Sequence, residues 1–144
     1  MPDKIKFEVI NEKLNKKIIP IISPLGLGSD NKTYNINGDT AAGAIAKSLR
    51  SRRLLLMTNV EGVLNKDKTL IQEISSSKIL KMIEDNTITE GMIPKINTCL
   101  DAVNNGVKAV AIIDGRKKHS ILFEIFSDKG SGLSLIHISE PTRH

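Results

Sequence analysis

Amide and carboxylate side chains alternate along one short stretch in the first third of the chain, at Asn35, Asn37 and Asp39. Alternate side chains of an extended segment share one face, so these three polar groups can point together at the carboxyl end of a strand. Buried amides discriminate well between ligands, because a ligand that lacks the partner group leaves them unpaired. The stretch therefore predicts a binding site, with Asp39 or Thr40 capping a helix that runs to about Leu49.

A second candidate is Lys95, which follows Pro94 at the start of a predicted helix. An ammonium group is locally unfavourable at the positive end of a helix dipole, and a bound anion would remove that conflict. Gly91 would let the backbone approach such an anion closely. Phosphoryl transfer requires a fixed cation near the migrating group. The alternatives are that Lys95 is a solvated surface lysine and that Asp39 is only a helix cap.

Composition restricts the classes of protein to consider. The chain has 144 residues, a formal net charge of +5 and one cysteine. Its aromatic residues are three phenylalanines and one tyrosine, and it has no tryptophan. This charge fits an anionic ligand such as a nucleotide, whereas dispersed charges and scarce aromatics argue against a nucleic-acid surface. One cysteine excludes an internal disulfide, and no apolar run is long enough to span a membrane. We expect a soluble cytoplasmic protein without a metal-ligand cluster.

Strands and helices are predicted to alternate, which indicates an α/β fold: a three-layer αβα sandwich with a largely parallel sheet. Gly106 is the expected C-cap of the helix that contains Lys95. That helix should bury one apolar stripe of Ile96, Cys99, Leu100 and Val103. The predicted strands are Ile18–Ser23, Thr33–Asn37, Leu54–Thr58, Ala109–Ile113 and Ser120–Phe126, and the predicted helices are Phe7–Lys17, 39–49, Ser75–Glu84 and Pro94–Asn105.

The stretch from Asn35 to Ala46 resembles the Asn-x-Asn-x-Asp-Thr-x-Ala signature of N-acetylglutamate kinases, which are members of the amino-acid kinase family. The segment from Gly91 to Lys95 resembles their Gly-Gly-Met-x-x-Lys segment, with Glu90 in place of the first glycine. The resemblance implies that Lys95 contacts the transferred phosphate and that Asp39 holds catalytic lysines in place. It further implies that Asn35 binds the substrate N-acetyl-L-glutamate, and Asn37 is a second substrate-binding candidate.

The segment Thr58–Val63 resembles the family's Thr-Asp-Val-x-Gly-Val turn, with Asn59 in place of the aspartate. The resemblance implies that ATP, accompanied by Mg²⁺, binds along this turn and along Gly91 and Met92. An amide at Asn59 can still accept a hydrogen bond from the nucleotide, but it carries no charge. On the residues alone, Gly62 is a turn glycine that permits a positive φ. The nucleotide-binding candidates are Thr58, Asn59, Gly62, Val63, Gly91 and Met92.

The segments Ile113–Arg116 and His119–Gly130 resemble the carboxyl-terminal segment of family members that arginine inhibits. This implies that His119, Glu124 and Gly130 lie near an arginine effector. The alternative is that His119 is an exposed turn histidine and Glu124 a solvent-facing strand residue. The resemblance also implies that the intact enzyme is a homo-oligomer.

The resemblance spans about residues 5–132, and residues 1–132 are predicted to form the nucleotide-binding, carboxyl-terminal half of the amino-acid kinase fold. The family's glycine-rich phosphate loop, the lysine beside it and its Gly-Gly pair have no counterpart in these residues, so we expect this chain to be inactive by itself. Residues 133–144 are predicted to be a non-native tail, because Leu133–Arg143 resembles a translated sequencing adapter. The alternative for those residues is a genuine exposed tail. The rival functions are another amino-acid kinase, such as acetylaminoadipate kinase, and a non-catalytic nucleotide- or arginine-binding fragment.

Overall fold

The computed structural model describes residues 2–127 and 132–136, the latter by their backbone. A 3₁₀ turn, Glu90–Met92, leads directly into the fourth helix. The helices are α1 Phe7–Asn15, α2 Gly38–Ser48, α3 Ser76–Glu84, α4 Ile93–Asn104 and α5 Ser120–Phe126. The strands are β1 Leu25–Leu27, β2 Thr33–Asn35, β3 Arg53–Thr58, β4 Glu73–Ile74, β5 Ala109–Asp114 and β6 Gly132–Ile136.

The main sheet has four strands in the order β3-β5-β6-β4. The pairs β3–β5 and β4–β6 are parallel, and β5–β6 is antiparallel. In the first pair Thr58 lies beside Asp114, so the carboxyl ends of both strands meet at one edge of the sheet. Strands β1 and β2 form a separate antiparallel hairpin just before α2. The sheet therefore brings two of the chain's polar turns, after β3 and after β5, to the same place.

Helices cover both faces of β5. Its side chains alternate, and Val110 and Ile112 belong to the core shared with α2, α3 and α4. Ala111 and Ile113 are also buried but point to the opposite face, where α5 packs against the strand. A strand that is buried on both sides reads as a continuous apolar run, as this one does. The predicted three-layer α/β class is confirmed.

Helix α4 carries the predicted apolar stripe. Ile96, Cys99, Leu100 and Val103 are all buried in the main core, as their helical spacing predicted. Full burial of one such side chain stabilises a fold by about 1.5–3 kcal/mol. The helix ends at Asn104, and its C-cap residue is Asn105. Gly106 follows with a φ of 100° that other residues rarely tolerate, so the predicted glycine lies one position beyond the cap.

The prediction of a strand over Ser120–Phe126 is wrong, because these residues form α5. The run contains Ile and Phe, which favour strands, but His119 turns the chain with a left-handed φ of 62° and a helix follows. Ser120 and Glu124 lie one helical turn apart on the buried side. Tertiary contact with β5 has overridden the local strand preference.

The predicted strand over Ile18–Ser23 is also wrong, since these residues form no regular element. Pro20 lacks a backbone N–H and cannot donate to a sheet ladder. Ile19 and Ile21 are 88% and 98% exposed, so the run that suggested burial is in fact on the surface.

The proposed foreign tail begins inside a strand. Residues 132–136 form β6, which pairs with β5 on one side and with β4 on the other. These residues therefore take part in the fold, whereas the sequence had suggested leaving residues 133–144 out of it. The foreign origin of that segment stays a prediction.

Gly43 is the point at which α2 and α4 approach each other closely. An added Cβ would stand 2.8 Å from Cγ2 of Thr98, whereas a Cβ at Gly38 on the same helix would meet nothing within 4 Å. Overpacking of this kind costs about 1–3 kcal/mol, which outweighs the roughly 0.5–1 kcal/mol that alanine gains over glycine in a helix. We therefore expect Gly43→Ala to lower the free energy of unfolding and Gly38→Ala to leave it unchanged or raise it, both measured by urea denaturation.

The Thr98→Ser background tests the cause of that loss. It removes Cγ2 but keeps the hydroxyl that donates to the Pro94 carbonyl. In that background Gly43→Ala should no longer destabilise the chain. An equal loss in both backgrounds would contradict the packing explanation.

Candidate functional site

Lys95 and Asp39 meet across the interface between α2 and α4. The Lys95 Nζ donates to Oδ2 of Asp39 at 2.5 Å and lies 3.5 Å from the carbonyl oxygen of Met57 at the end of β3. The two side chains are 15% and 31% exposed, so solvent screens the pair only in part. The structure thus brings a half-buried cation, a carboxylate and the carboxyl end of a parallel strand together.

Asn37 caps α2, which corrects the prediction that Asp39 or Thr40 does so. Its Oδ1 accepts hydrogen bonds from the backbone N–H groups of Asp39 (3.0 Å) and Thr40 (3.2 Å). Because strand β2 ends at Asn35, the alternation of faces does not extend through Asn37 to Asp39. The cap leaves the Asp39 carboxylate available to Lys95, while its negative charge still lies favourably in the first helical turn.

Helix α4 presents Lys95 in its first turn. Pro94 fits there because its fixed φ is helical and its missing N–H needs no partner. The N-cap residue Met92 supplies no side-chain hydrogen bond to the helix. The ammonium group therefore stands at an end that already carries partial positive charge, and Asp39 compensates for that conflict.

Cys99 lies one turn after Lys95 and is completely buried. Burial raises the pKa of its thiol to about 12, with the charge of Asp39 adding to the rise and that of Lys95 opposing it. The thiol therefore stays protonated at neutral pH and is a packing group with no nucleophilic role.

The candidate nucleotide turn continues directly from the strand that Lys95 contacts. Thr58 ends β3, Asn59 is exposed, and Gly62 adopts a φ of 132°, so the expected turn geometry is observed. Val63 is buried in the core, where its side chain cannot reach a ligand. A contact from this residue would have to come from its backbone.

Gly91 and Met92 precede Lys95 in the 3₁₀ turn. Gly91 is exposed, and a Cβ there would meet nothing within 4 Å, so the backbone at this position is open to a ligand. Met92 is partly buried against the core. The turn thus brings one open and one packed residue beside the Lys95–Asp39 pair.

The remaining predicted site residues are Asn35, His119, Glu124 and Gly130. Asn35 is exposed at the end of the β1–β2 hairpin. His119 is an exposed turn residue, as the alternative to an effector role predicted. Glu124 is buried on α5, so the alternative prediction of a solvent-facing strand residue is wrong. The Glu124 carbonyl accepts a hydrogen bond from Nη1 of Arg53 at 3.2 Å. Gly130 lies outside the described residues.

Asp114 and Arg116 form an ion pair to which no sequence motif had assigned a role. Asp114 is 1% exposed at the end of β5, and both its oxygens accept hydrogen bonds from the Arg116 guanidinium, at 2.9 Å from Nε and 2.8 Å from Nη2. These bonds hold the pKa of Asp114 at about 2. The sequence signal that could have revealed the pair is an apolar strand followed at once by Asp-Gly-Arg, at residues 114–116.

Comparison with known proteins gives the family. The sequence profile that matches residues 2–114 is described as the amino acid kinase family. The chain belongs to the amino acid kinase family. It is 55% identical over 131 residues to the acetylglutamate kinase of Pelagibacter ubique and 50% identical over 131 residues to that of Methylobacterium nodulans, each time across 91% of its length. The recognition of this family from the sequence is confirmed.

A solved structure agrees with this assignment. The chain resembles the N-acetylglutamate synthase of Neisseria gonorrhoeae, which was crystallised with coenzyme A and L-arginine, with a TM-score of 0.86 and 27% identity. The match covers 92% of the chain and 31% of the synthase. The chain spans less than half the length of the acetylglutamate kinases, 46% and 43% of the two named above.

Within residues 2–127 and 132–136, no helix combines the length and apolar character that crossing a bilayer requires. In the same part of the chain, no three His, Cys, Asp or Glu side chains are grouped so that they could hold a metal ion.

The buried thiol gives a test of the packing beneath the Lys95–Asp39 pair. An unfolded thiol has a pKa of about 8.5, so above that pH the unfolded chain loses a proton that the native chain keeps. The free energy of unfolding should therefore fall as the pH rises from about 8 to 10. The fall should be smaller for Cys99→Ala, even though that variant starts less stable. Equal slopes for the two proteins, or rapid native labelling by a thiol-reactive disulfide at pH 8, would contradict the burial of Cys99.

Proposed function

We propose that this chain provides the nucleotide-binding part of an enzyme that transfers the γ-phosphoryl group of ATP to the side-chain carboxylate of N-acetyl-L-glutamate, a step of arginine biosynthesis. The observation that carries the proposal is the contact between Lys95 and Asp39 at the carboxyl end of β3. A fixed cation beside the migrating phosphoryl group is what this reaction needs most. The high identity to acetylglutamate kinases supports this substrate.

Each group at the site has a role in this proposal. Lys95 neutralises charge on the transferred phosphoryl group, and Asp39 orients the ammonium group. Thr58, Asn59 and Gly62 line the nucleotide, together with the backbone at Val63 and the turn at Gly91 and Met92. Mg²⁺ arrives with the nucleotide and supplies charge neutralisation at its phosphates.

Two asparagine side chains are the proposed binding groups for the acceptor. Asn35 is exposed on the hairpin that leads into α2, from which its amide can reach a substrate amide or carboxylate. Asn37 uses its Oδ1 for the helix cap, which leaves its Nδ2 as the group that would donate to the acceptor. Acetylaminoadipate is the alternative acceptor, and a substrate comparison on a complete enzyme would separate the two.

The reaction also needs groups that residues 1–144 do not contain. No glycine-rich phosphate loop followed by lysine occurs in the sequence. We therefore propose that this chain binds nucleotide but does not complete the transfer by itself.

Nucleotide binding is tested by titrating Mg·ATP into the chain by calorimetry. Lys95→Met should weaken binding by about tenfold or more, because a charge-assisted contact to phosphate is lost. The matched control is Lys47→Met. Lys47 is also paired with an aspartate across the α2–α4 interface, Asp101, but lies about 12 Å further along α2 than Asp39. That distance exceeds the screening length at physiological salt, so its loss should leave ATP affinity unchanged. Equal losses of ATP affinity for the two substitutions would contradict a role of Lys95 in nucleotide binding.

Transfer is tested with purified chain, ATP, Mg²⁺ and N-acetyl-L-glutamate, with hydroxylamine to trap the acyl phosphate. We expect no product from the chain and ready formation by the Pelagibacter ubique acetylglutamate kinase as a positive control. Turnover by the 144-residue chain at a rate comparable to that control would contradict the proposed division of roles.

A further inference from the structure

The turn after β5 contains a guanidinium group that is held in place beside the candidate nucleotide turn. Besides the two side-chain bonds, the backbone N–H of Arg116 donates to Oδ1 of Asp114 at 3.0 Å. The carboxylate is 2% exposed, whereas the Arg116 side chain is 60% exposed. A buried acceptor therefore fixes one edge of the guanidinium, and most of the side chain faces solvent.

The position of this turn relative to β3 is also fixed. Asp114 lies beside Thr58 in the parallel pairing, and the N–H of Gly115 donates to the carbonyl oxygen of Thr58 at 2.8 Å. The Lys95 ammonium reaches the carbonyl of Met57, the preceding residue. Two cations, each matched to its own carboxylate, therefore stand at the ends of neighbouring parallel strands. Ligands of open α/β sheets bind at this edge.

We propose that Arg116 is a phosphate-binding residue of the nucleotide site, and that Asp114 is the residue that positions it. The proposal rests on the nucleotide site argued above, to which it adds a second cation. Nε and Nη2 are engaged by Asp114, and Nη1 has no hydrogen-bond partner among the described residues. A planar guanidinium with a free edge is suited to bind two phosphate oxygens.

Neighbouring carboxylates stabilise the charged form of the Arg116 guanidinium. The bonds to Asp114 raise the pKa of Arg116, and the charge of Glu61 in the candidate nucleotide turn adds to the rise. Glu61 also shows that Arg116 stands within electrostatic reach of that turn. Asp114 and Glu61 offset the positive charge of Arg116. The affinity of this turn for phosphate must therefore come from directed hydrogen bonds more than from net charge.

The alternative role is purely local: Arg116 could only close the turn between β5 and α5. The two roles separate in Arg116→Gln. If Arg116 binds phosphate, ATP affinity falls about tenfold while adenosine affinity is unchanged. If it only closes the turn, the melting temperature falls and the ATP affinity of the folded protein stays the same.

Arg52→Gln is the matched control, because it removes the same charge from an exposed arginine next to the amino end of β3. Arg52 is about 20 Å from Thr58 along the chain direction of the strand. Arg116→Lys keeps the charge but loses the two-point contact with Asp114, so it should recover only part of the affinity. Full recovery by lysine would overturn the positioning role of Asp114.

A spectroscopic measurement distinguishes failure of this inference from failure of the proposed function. The Nε–H resonance of Arg116, assigned by its absence in Arg116→Gln, is followed during titration with Mg·ATP, tripolyphosphate and L-arginine. A shift with ATP or with tripolyphosphate supports the inference, and a shift with tripolyphosphate alone would support it while counting against a nucleotide site. ATP binding that depends on Lys95 but leaves this resonance unmoved overturns the inference and spares the proposed function. A response to none of the phosphates, or to L-arginine alone, overturns it as well.

Discussion

The arrangement of charged groups at the carboxyl end of β3 depends on one ion pair, Lys95–Asp39. This pair joins the first turns of α2 and α4 beside the last residues of β3. A lysine in the first turn of a helix opposes the helix dipole, and an aspartate in the first turn of the neighbouring helix relieves that conflict. The pair is only partly exposed, so its attraction is screened less than that of a surface pair. It fixes the ammonium group against a strand end, where a ligand of an α/β sheet is bound.

The same helix interface carries a second pair with the charges exchanged: Lys47 on α2 meets Asp101 on α4. Asn105 also donates to Oδ1 of Asp101, so this carboxylate is held by partners on two sides. Between the two pairs the helices approach closely at Gly43. Two ion pairs separated by a close contact set the position of α4 relative to α2 at both ends. The geometry around Lys95 is therefore a consequence of how the two helices pack, and it does not depend on the site residues alone.

Local patterns in the sequence predicted most of the elements that build this site. Helical spacing identified the buried stripe of α4, and apolar runs identified β3 and β5, because these signals depend on neighbours within a few residues. The run Ser120–Phe126 was misread because its strand-favouring residues say nothing about the αL turn at His119 or about burial against β5. The Asn37 cap was missed because three neighbouring residues could each cap α2, and only the structure shows that Asp39 is engaged elsewhere. The contact between residues 39 and 95 came from the family resemblance, since no local rule connects positions 56 apart.

The charges at the strand ends explain why composition alone could not locate the site. Lys95 and Arg116 lie at the ends of β3 and β5, and each is paired with an aspartate. The net charge of +5 therefore resides on other parts of the surface and gives no indication of where an anion would bind. The direction of a cation that is already paired is set before a ligand arrives, which lowers the cost of ordering its side chain. Such a site discriminates by the placement of its hydrogen-bond donors, and a phosphate with several oxygens is the kind of anion that two fixed cations on adjacent strands can hold together.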